Sequence, residues 1–208
     1  MSKFIGIINH WRRFLEMANN QVPVGISNRH IHVSQSDLET LFGNDYNLTP
    51  FKPLSQPGQF AAEEMVTLIG PKNCLNKVRI LGPVRPNTQV EISRTDSFIL
   101  GVNPPVRDSG SIIGTPGIIV QGPKGKIELK EGVIIAQRHL HLHTNEAEEL
   151  GLKDKEWISI KFEGERGLTF DKVLVRISPN FAKDFHLDTD EANAAGLTNG
   201  TLGTIINK

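Results

Sequence analysis

Three of the seven histidines in this chain lie within five residues, in the segment Arg138-His139-Leu140-His141-Leu142-His143. Successive side chains of a β-strand point to opposite faces, so the three imidazoles would share one face and the two leucines the other. Imidazoles two residues apart on a strand can bind one cation together. A single histidine on a strand is more often an ordinary core or surface residue, but three on one face favour a metal site.

The same pattern occurs earlier in the chain. Residues 26–32, ISNRHIH, match residues 135–141, IAQRHLH, and a helix-like segment follows each copy. This repetition indicates that the chain uses one structure more than once. That structure is a strand that ends in histidine, followed by a short helix.

A third, partial copy lies near the C-terminus. Residues 186–197 align with residues 141–152 without a gap, and the aligned Thr189 and Thr144 are good helix N-caps. With this copy, every histidine except His10 belongs to the repeated structure. Chance placement of the histidines is therefore disfavoured.

The histidines of these copies form a nitrogen-rich set of candidate ligands, namely His30, His32, His139, His141 and His186, with His143 as an additional candidate. Imidazole sites without cysteine suit Zn²⁺ first, and cobalt, nickel or iron less well. One catalytic zinc with an open position needs fewer ligands than this. We therefore predict two neighbouring metal ions.

A carboxylate is expected to complete the ligand set. Glu91 is our choice, because it is the one acid on a short predicted strand and is flanked by Val90 and Ile92. A solvent-exposed strand face would explain Glu91 equally well. The competing acids are Asp96, Glu63 and Glu64.

Arginines form a second group of candidates, Arg79, Arg85, Arg94 and Arg107. The guanidinium group is a planar fork of donors that matches phosphate oxygens. Arg85 lies on a turn stiffened by Pro83 and Pro86, which suits an anion site, although exposed arginines on turns are equally common. Arg29 and Arg138 precede the paired histidines and would point to the opposite strand face, which favours a structural role.

Composition limits the class of protein. The chain has 208 residues, with 23 basic and 23 acidic side chains, so no overall charge attracts nucleic acid or an anionic membrane. The single cysteine, Cys74, excludes an internal disulfide and suits a reducing cytoplasm. No apolar run is long enough to span a bilayer. Neither a Gly-x-Ser-x-Gly elbow nor a phosphate-binding P-loop is present, and Cys74 has no neighbouring histidine in sequence to activate it.

The elements that must position these side chains are mostly strands. Plentiful glycine and proline, sparse aromatics and many Val and Ile residues predict a mainly β protein with tight turns. Strands are predicted at 64–69, 75–82, 88–93, 117–121, 125–129, 156–162, 167–177 and 201–206, with a loop over 44–60 and a Pro/Gly-rich crossover over 96–116. Helical spacing of apolar residues predicts an amphipathic helix over 3–18.

From about Val22 to the C-terminus, the chain resembles the PduL-type phosphotransacylases, also called phosphate propanoyltransferases. The resemblance rests on several segments in the same order: Val24–His32, Gly82–Asp96, Val106–Gly110, Arg138–His141 and the His186 segment. It implies the reaction acyl-CoA + phosphate ⇌ acyl phosphate + CoA. It also implies a pseudo-duplicated fold of two small β-barrels with short helices and a dizinc active site between them. With it, we expect a segment 1–20, a first barrel domain over 22–115 and a second over 116–208.

Carried over residue by residue, the resemblance assigns two zinc ions per chain to His30, His32, Glu91, His139, His141 and His186. It assigns phosphate to Arg85, and coenzyme A to the neighbourhood of Ser27, Arg79, Leu81, His186 and Asn193. Phe98 would line the pocket, Lys52 is placed for a basic contact to coenzyme A, and His143 has no role in the pattern. Phosphate would attack the thioester directly, without a covalent acyl-enzyme.

The resemblance also bears on location and assembly. An N-terminal amphipathic extension commonly directs this family to the interior of a bacterial microcompartment, so the helix at 3–18 is a candidate shell-targeting peptide in an otherwise cytoplasmic protein. A capping helix or an oligomer contact explains it equally well, and we expect a homo-oligomer. Partners are acyl-CoA and phosphate, with no nucleic acid and no membrane.

Two other functions remain open from the residues. A dizinc hydrolase would release free acid from a thioester, or cleave a phosphoester, without using phosphate as the acceptor. A non-catalytic β-barrel module would use the histidines for structural metal. Structural zinc sites are usually closed and rich in cysteine, and this chain has one cysteine.

Overall fold

The computed structural model describes residues 20–207, and the helix predicted over 3–18 lies outside this range. The chain forms two compact units. The first, here the barrel unit, comprises residues 20–26, 138–187 and 191–207 of the described part of the chain. The second, here the sheet unit, comprises Ser27–Gln137 and Asp188–Asp190. These bounds describe contacts, and the domain bounds of 22–115 and 116–208 stay a prediction.

The described residues contain short strands and helices, named here in chain order. The strands are β1 (Gln21–Ser27), β2 (His30–His32), β3 (Pro50–Pro53), β4 (Phe60–Ile69), β5 (Cys74–Gly82), β6 (Gln89–Glu91), β7 (Val106–Arg107), β8 (Ile118–Gln121), β9 (Lys126–Leu129), β10 (Val133–Ala136), β11 (His139–Leu142), β12 (Trp157–Lys161), β13 (Thr169–Ile177), β14 (Asp184–Asp188) and β15 (Leu202–Asn207). The helices are α1 (Gln35–Phe42), α2 (Arg94–Leu100), α3 (Thr144–Leu150) and α4 (Thr189–Ala195). The mainly β prediction is confirmed.

The barrel unit is a closed barrel in the order β1-β14-β11-β13-β12-β15. Closure comes from the antiparallel pairing of β1 with β15, where Val22 lies opposite Gly203. A closed sheet has no exposed edge strand. The histidine strand β11 runs antiparallel to β14 and parallel to β13, so its side chains have neighbours on both sides.

The sheet unit is one curled sheet in the order β7-β10-β6-β2-β5-β4-β8-β9, with β3 paired to β4. The earlier histidine strand β2 lies inside this sheet, antiparallel to β6 and parallel to β5. Here too the histidine strand has a partner on each side. In both units, the strand that carries the paired histidines is thus an interior strand of its sheet.

Alternation along the histidine strands separates the core from the polar face. Ile31 lies between His30 and His32 and belongs to the apolar core of the sheet unit, together with Val78 and Ile80. In the barrel unit, Leu140 and Leu142 pack into a separate core that includes Phe162 and Phe185. Burying a side chain of this size stabilises a fold by about 1.5–3 kcal/mol. This burial fixes which face the histidines occupy.

The structure corrects three local predictions. Helix α2 occupies the start of the predicted 96–116 crossover, and Ser93 and Asp96 form a capping box at its N-terminus. The sequence Ser-x-x-Asp was the missed signal. Helices α3 and α4 begin at Thr144 and Thr189 themselves, and the N-cap of α3 is the preceding residue. The predicted 44–60 loop contains the exposed edge strand β3.

Among the described residues, no helix is both long enough and apolar enough to cross a bilayer.

Candidate metal centres and anion site

The sheet unit brings together His30, His32 and Glu91, here called the sheet triad. His30 and His32 are two residues apart on β2, and antiparallel pairing places Glu91 of β6 opposite His30. One donor atom from each of the three lies within 4.8 Å of the other two. His30 Nε2 lies 3.4 Å from Glu91 Oε2, and His32 Nε2 lies 4.0 Å from Glu91 Oε1.

Backbone carbonyls orient both imidazoles of the sheet triad. His30 Nδ1 lies 2.7 Å from the carbonyl oxygen of Asn28, and His32 Nδ1 lies 3.3 Å from that of Leu81. A carbonyl can only accept a hydrogen bond, so each Nδ1 carries the proton and donates it. Each Nε2 then faces the carboxylate, where it can donate to Glu91 when protonated or bind a metal when deprotonated. This is the arrangement that a metal-ligating histidine typically has.

Burial and charge control protonation in the sheet triad. Burial lowers the pKa of His32 to about 3, and the positive charges of His30 and Arg85 act in the same direction. Burial also acts to lower the pKa of His30, but the adjacent Glu91 carboxylate outweighs it and the pKa is raised. Burial alone would raise the pKa of Glu91, but the charge and hydrogen bond of His30 lower it. An ionised carboxylate and a neutral His32 are suitable metal ligands at neutral pH.

The predicted anion residue, Arg85, belongs to the same unit as the sheet triad. Its guanidinium Nη1 donates to Ser109 Oγ at 3.3 Å, and Ser109 Oγ donates to Glu91 Oε1 at 2.9 Å. The positive charge of Arg85 acts to lower the pKa of both histidines of the sheet triad, although the net pKa of His30 is raised. A single hydroxyl therefore links the arginine to a candidate metal ligand.

Sequence reasoning missed Gln89 and Ser109. Gln89 Nε2 donates to Glu91 Oε1 at 2.6 Å, and its Oε1 accepts from the backbone N–H of Gly110 at 2.7 Å. Gln89 could have been found from its spacing, because it is two residues from Glu91 and shares its strand face. Ser109 lies on a loop, and only the tertiary structure brings it to the carboxylate.

The barrel unit brings together His139, His141 and His186, here called the barrel triad. His139 and His141 are two residues apart on β11, and antiparallel pairing places His186 of β14 opposite His139. Their donor nitrogens lie within 4.8 Å of one another, and the Nε2 atoms of His139 and His141 are 2.9 Å apart. His186 Nε2 lies 2.8 Å from Asp184 Oδ2. Because a carboxylate oxygen can only accept a hydrogen bond, His186 Nε2 carries the proton and donates it.

The barrel triad is also suited to neutral imidazole ligands. Burial lowers the pKa of His141 to about 2, with further contributions from the charges of His139, His186 and Arg176. Arg176, which sequence reasoning missed, lies on β13 in register with His141. Within the described part of the chain, the buried Nδ1 of His141 has no hydrogen-bond partner. Such a nitrogen costs free energy unless something binds it.

Both triads fit Zn²⁺ by donor type. Each has three nitrogen or carboxylate ligands, a set that leaves an open coordination position in catalytic zinc sites. The predicted six ligands therefore occur as two groups of three, one group in each unit. Their metal-binding role stays a prediction.

His143, the additional candidate, lies outside both triads and caps helix α3. Its Nδ1 accepts a hydrogen bond from the backbone N–H of Asn145 at 3.2 Å, and Glu146 Oε2 accepts one from the backbone N–H of His143 at 3.1 Å. This reciprocal pair is a capping box.

The competing acids have other contacts. Asp96 accepts from Arg29 at 2.9 Å and forms an ion pair with it at 2.7 Å. Glu64 accepts from the Tyr46 hydroxyl at 3.0 Å. Glu63 is exposed and stands in neither triad. Arg138 pairs with Glu191, so both arginines that precede the histidine pairs hold structural contacts.

The residues predicted to contact coenzyme A are divided between the units. Lys52 is exposed on β3, the Arg79 guanidinium lies 4.9 Å from the centroid of the Phe51 ring, and Leu81 orients His32 through its carbonyl. Ser27 ends β1, Phe98 is 67% exposed on α2, and Asn193 is exposed on α4. Ser27, Lys52, Arg79, Leu81 and Phe98 belong to the sheet unit, and His186 and Asn193 to the barrel unit. Their role in coenzyme A binding stays a prediction.

Comparison with known proteins gives one consistent answer. The family model described as phosphate propanoyltransferase matches residues 23–198. A phosphate propanoyltransferase of Thermotoga maritima is 54% identical over 204 residues, covering 97% of each chain. Those of Rhodopseudomonas palustris and Salmonella typhimurium are each 49% identical, covering 90% and 88% of this chain and 83% and 88% of their own. The resemblance found in the sequence is thereby confirmed: this chain belongs to the phosphate propanoyltransferase family.

Proposed function

We propose that this protein is a phosphate acyltransferase that interconverts a short-chain acyl-CoA and phosphate with the acyl phosphate and CoA. Family membership supports this class of reaction. The observation that carries the proposal is the contact chain from Arg85 through Ser109 to Glu91. It joins a phosphate-binding type of side chain to a candidate metal site with an open position. Propanoyl-CoA and acetyl-CoA are the proposed substrates.

The proposal includes two zinc ions per chain, one held by the sheet triad and one by the barrel triad. Buried nitrogen and carboxylate donors that converge within 4.8 Å support it. Bound zinc would supply a Lewis acid that polarises a carbonyl or phosphoryl oxygen and stabilises developing negative charge.

In the proposed reaction, the Arg85 guanidinium binds phosphate through paired hydrogen bonds and orients it. A phosphate oxygen attacks the thioester carbonyl carbon, the new C–O bond forms, and the C–S bond breaks to release CoA as its thiolate. No acyl-enzyme forms. The one cysteine, Cys74, is exposed on β5 and belongs to neither triad, in keeping with direct attack.

Coenzyme A is proposed to contact Ser27, Lys52, Arg79, Leu81, His186 and Asn193, with Phe98 lining the acyl pocket. Lys52 and Arg79 are cations that would pair with the phosphates of the cofactor. Their position in one unit supports a shared role in holding that end of the molecule.

The test is CoA release from acetyl-, propanoyl- and butanoyl-CoA, measured with and without phosphate, before and after chelation. We expect release that requires phosphate, is lost on chelation and returns with Zn²⁺. Release of CoA together with free acid in the absence of phosphate would instead identify a thioester hydrolase. Full activity in a verified zinc-free protein would contradict the proposed metal dependence.

Location and assembly are part of the proposal. Residues 3–18 are proposed to direct the enzyme to a bacterial microcompartment, and the chain to form a homo-oligomer. A fusion of residues 1–20 to a fluorescent reporter should form puncta in cells that make microcompartments. A diffuse signal would contradict targeting, and light scattering that gives the monomer mass would contradict the oligomer.

A further inference from the structure

The two triads share one arrangement of four positions on paired antiparallel strands. In the sheet unit, His30 lies opposite Glu91 and His32 lies opposite Gln89. In the barrel unit, His139 lies opposite His186 and His141 lies opposite Asp184. Opposed residues of an antiparallel pair share a face, so each unit carries four polar side chains on one face. The register makes Gln89 the counterpart of Asp184, just as Glu91 is the counterpart of His186.

Each fourth residue forms a hydrogen bond with the third ligand of its own triad. Gln89 Nε2 donates to Glu91 Oε1 at 2.6 Å. His186 Nε2 donates to Asp184 Oδ2 at 2.8 Å. The polarity is matched to the ligand: a carboxylate ligand has an amide donor beside it, and an imidazole ligand has a carboxylate acceptor.

Both fourth residues are held firmly. Gln89 is 3% exposed, and its second polar atom, Oε1, accepts from the backbone N–H of Gly110 at 2.7 Å. Asp184 is 5% exposed and lies against Gly25 of β1. A Cβ at Gly25 would lie 2.6 Å from Asp184 Oδ2 and 2.8 Å from His186 Cδ2, so only glycine leaves room for the pair.

Neither fourth residue is itself a candidate ligand. Among the His, Cys, Asp and Glu side chains of the described residues, the converging groups contain only the three members of each triad, so Asp184 stands outside the barrel group. Gln89 directs its amide nitrogen, which carries protons and cannot bind a cation, at Glu91, and its Oε1 accepts from the backbone N–H of Gly110. Hydrogen bonds of this kind to metal ligands set their orientation and basicity, and their loss typically lowers metal affinity by about 10- to 100-fold.

We propose that Gln89 and Asp184 are equivalent positioning residues, one for each triad, which orient the third metal ligand through a hydrogen bond of matched polarity. The inference rests on the proposed function, since it takes both triads to be metal sites. It adds two residues to the machinery of the enzyme and explains why a glutamine and an aspartate occupy the same place in the repeat.

Zinc affinity is the direct test, measured on the purified full chain by competition with a chromophoric chelator, with thermal unfolding of each variant as the folding check. Gln89→Leu and Asp184→Leu should each weaken one of the two zinc sites by about 10- to 100-fold. Asp184→Asn retains an accepting oxygen and should recover most of the affinity. Gln89→Glu replaces a donor by an acceptor and should lose as much as Gln89→Leu.

Gln121→Leu is the matched control, because Gln121 is exposed on β8 of the sheet unit. It should leave both zinc affinities unchanged. If Asp184→Asn loses as much zinc affinity as Asp184→Leu, then Asp184 acts as a charged ligand and the positioning role is overturned. Zinc affinities that are unchanged in both leucine variants would overturn it as well.

A pair exchange tests the equivalence of the two residues and remains informative if a leucine variant does not fold. Glu91→His alone places an imidazole beside an amide donor, and Gln89→Asp alone places two carboxylates together. The double variant reproduces the Asp184–His186 pair in the sheet unit and should bind zinc at least tenfold more tightly than Glu91→His alone. An equal or weaker affinity would contradict the equivalence. A wild-type chain that binds no zinc would instead overturn the proposed function.

Discussion

At the scale of single residues, His32 is held neutral by its surroundings. Burial lowers its pKa to about 3, whereas an exposed histidine titrates near 6.5. Below pH 6.5, His32 therefore binds a proton in the unfolded chain but stays neutral in the folded chain. The free energy of unfolding must then fall as pH drops from about 6.5 toward 3, with the stability fully present above that window.

This linkage predicts the behaviour of His32→Asn in the metal-free protein. Because His32 stays neutral in the folded chain, the wild type's free energy of unfolding is about 2 kcal/mol lower at pH 5 than at pH 7.5. The variant cannot titrate there, so its free energy of unfolding should depend less steeply on pH between 7.5 and 5. Urea denaturation at several pH values measures the difference in slope. Equal slopes would show that His32 protonates in the folded chain.

Arg85 is the proposed phosphate-binding residue, and its guanidinium contacts Glu91 through the Ser109 hydroxyl. Arg85→Ala should raise the KM for phosphate by about 10- to 100-fold, because the loss of a charge-assisted contact costs about 1.5–3 kcal/mol. The KM for acyl-CoA and the zinc content should change little. Steady-state kinetics and metal analysis provide both measurements.

Lys126→Ala serves as a control for Arg85, since Lys126 is an exposed cation on β9 of the same unit. It should leave the KM for phosphate unchanged. Loss of zinc from Arg85→Ala would show that the arginine supports the metal site and would contradict its assignment to phosphate.

At the scale of elements, the repeated strand and helix serve two purposes. The strand presents histidine on one face, and a helix begins within three residues of its end, as α1, α3 and α4 do after β2, β11 and β14. Each helix carries buried side chains, such as Leu38 and Leu41 of α1 and Ala147 and Leu150 of α3. The helices therefore anchor the ends of the strands that carry the candidate ligands.

His143 belongs to this structural part of the repeat. Its capping role predicts that His143→Ala lowers the free energy of unfolding by about 0.5–2 kcal/mol, whereas His143→Asn restores most of it. Zinc content should stay at the wild-type value in both variants. Denaturation and metal analysis provide the measurements. A variant that keeps its stability and loses zinc would make His143 a ligand.

At the scale of the whole molecule, each unit contains its own apolar core and its own triad. The sheet triad takes every member from the sheet unit, and the barrel triad takes every member from the barrel unit. Each candidate metal site can therefore form from the strands of one unit. We therefore expect that removing the histidines of one triad leaves zinc binding by the other triad intact.

The variant His30→Ala/His32→Ala should reduce zinc from about two ions per chain to about one, since three ligands remain in the other triad. The variant His139→Ala/His141→Ala should do the same. Activity should be lost in both. Elemental analysis of the purified proteins measures the content. Complete loss of zinc from either variant would show that the two sites depend on each other.

The sequence by itself determined the mainly β class, the repeat and the face on which the histidines lie. These features depend on local periodicity, because a strand alternates its side chains whatever surrounds it. His30 with His32, and His139 with His141, were paired by spacing alone. The segments shared with the phosphate propanoyltransferases are contiguous as well, so the family could be recognised before the fold was known.

Only the tertiary structure decided which residues join each pair of histidines to form a triad, and which residues contact that triad. Glu91 and His186 reach the paired histidines through antiparallel registers, and Ser109 reaches Glu91 from a loop. These contacts join residues far apart in sequence, so no local pattern specifies them. Gln89 and Asp184 are each only two residues from the side chain that they contact, but their equivalence depends on the register of two separate strand pairs. Local sequence therefore specifies the histidine strand, while the pairing of strands in the sheet brings the third candidate ligand to it.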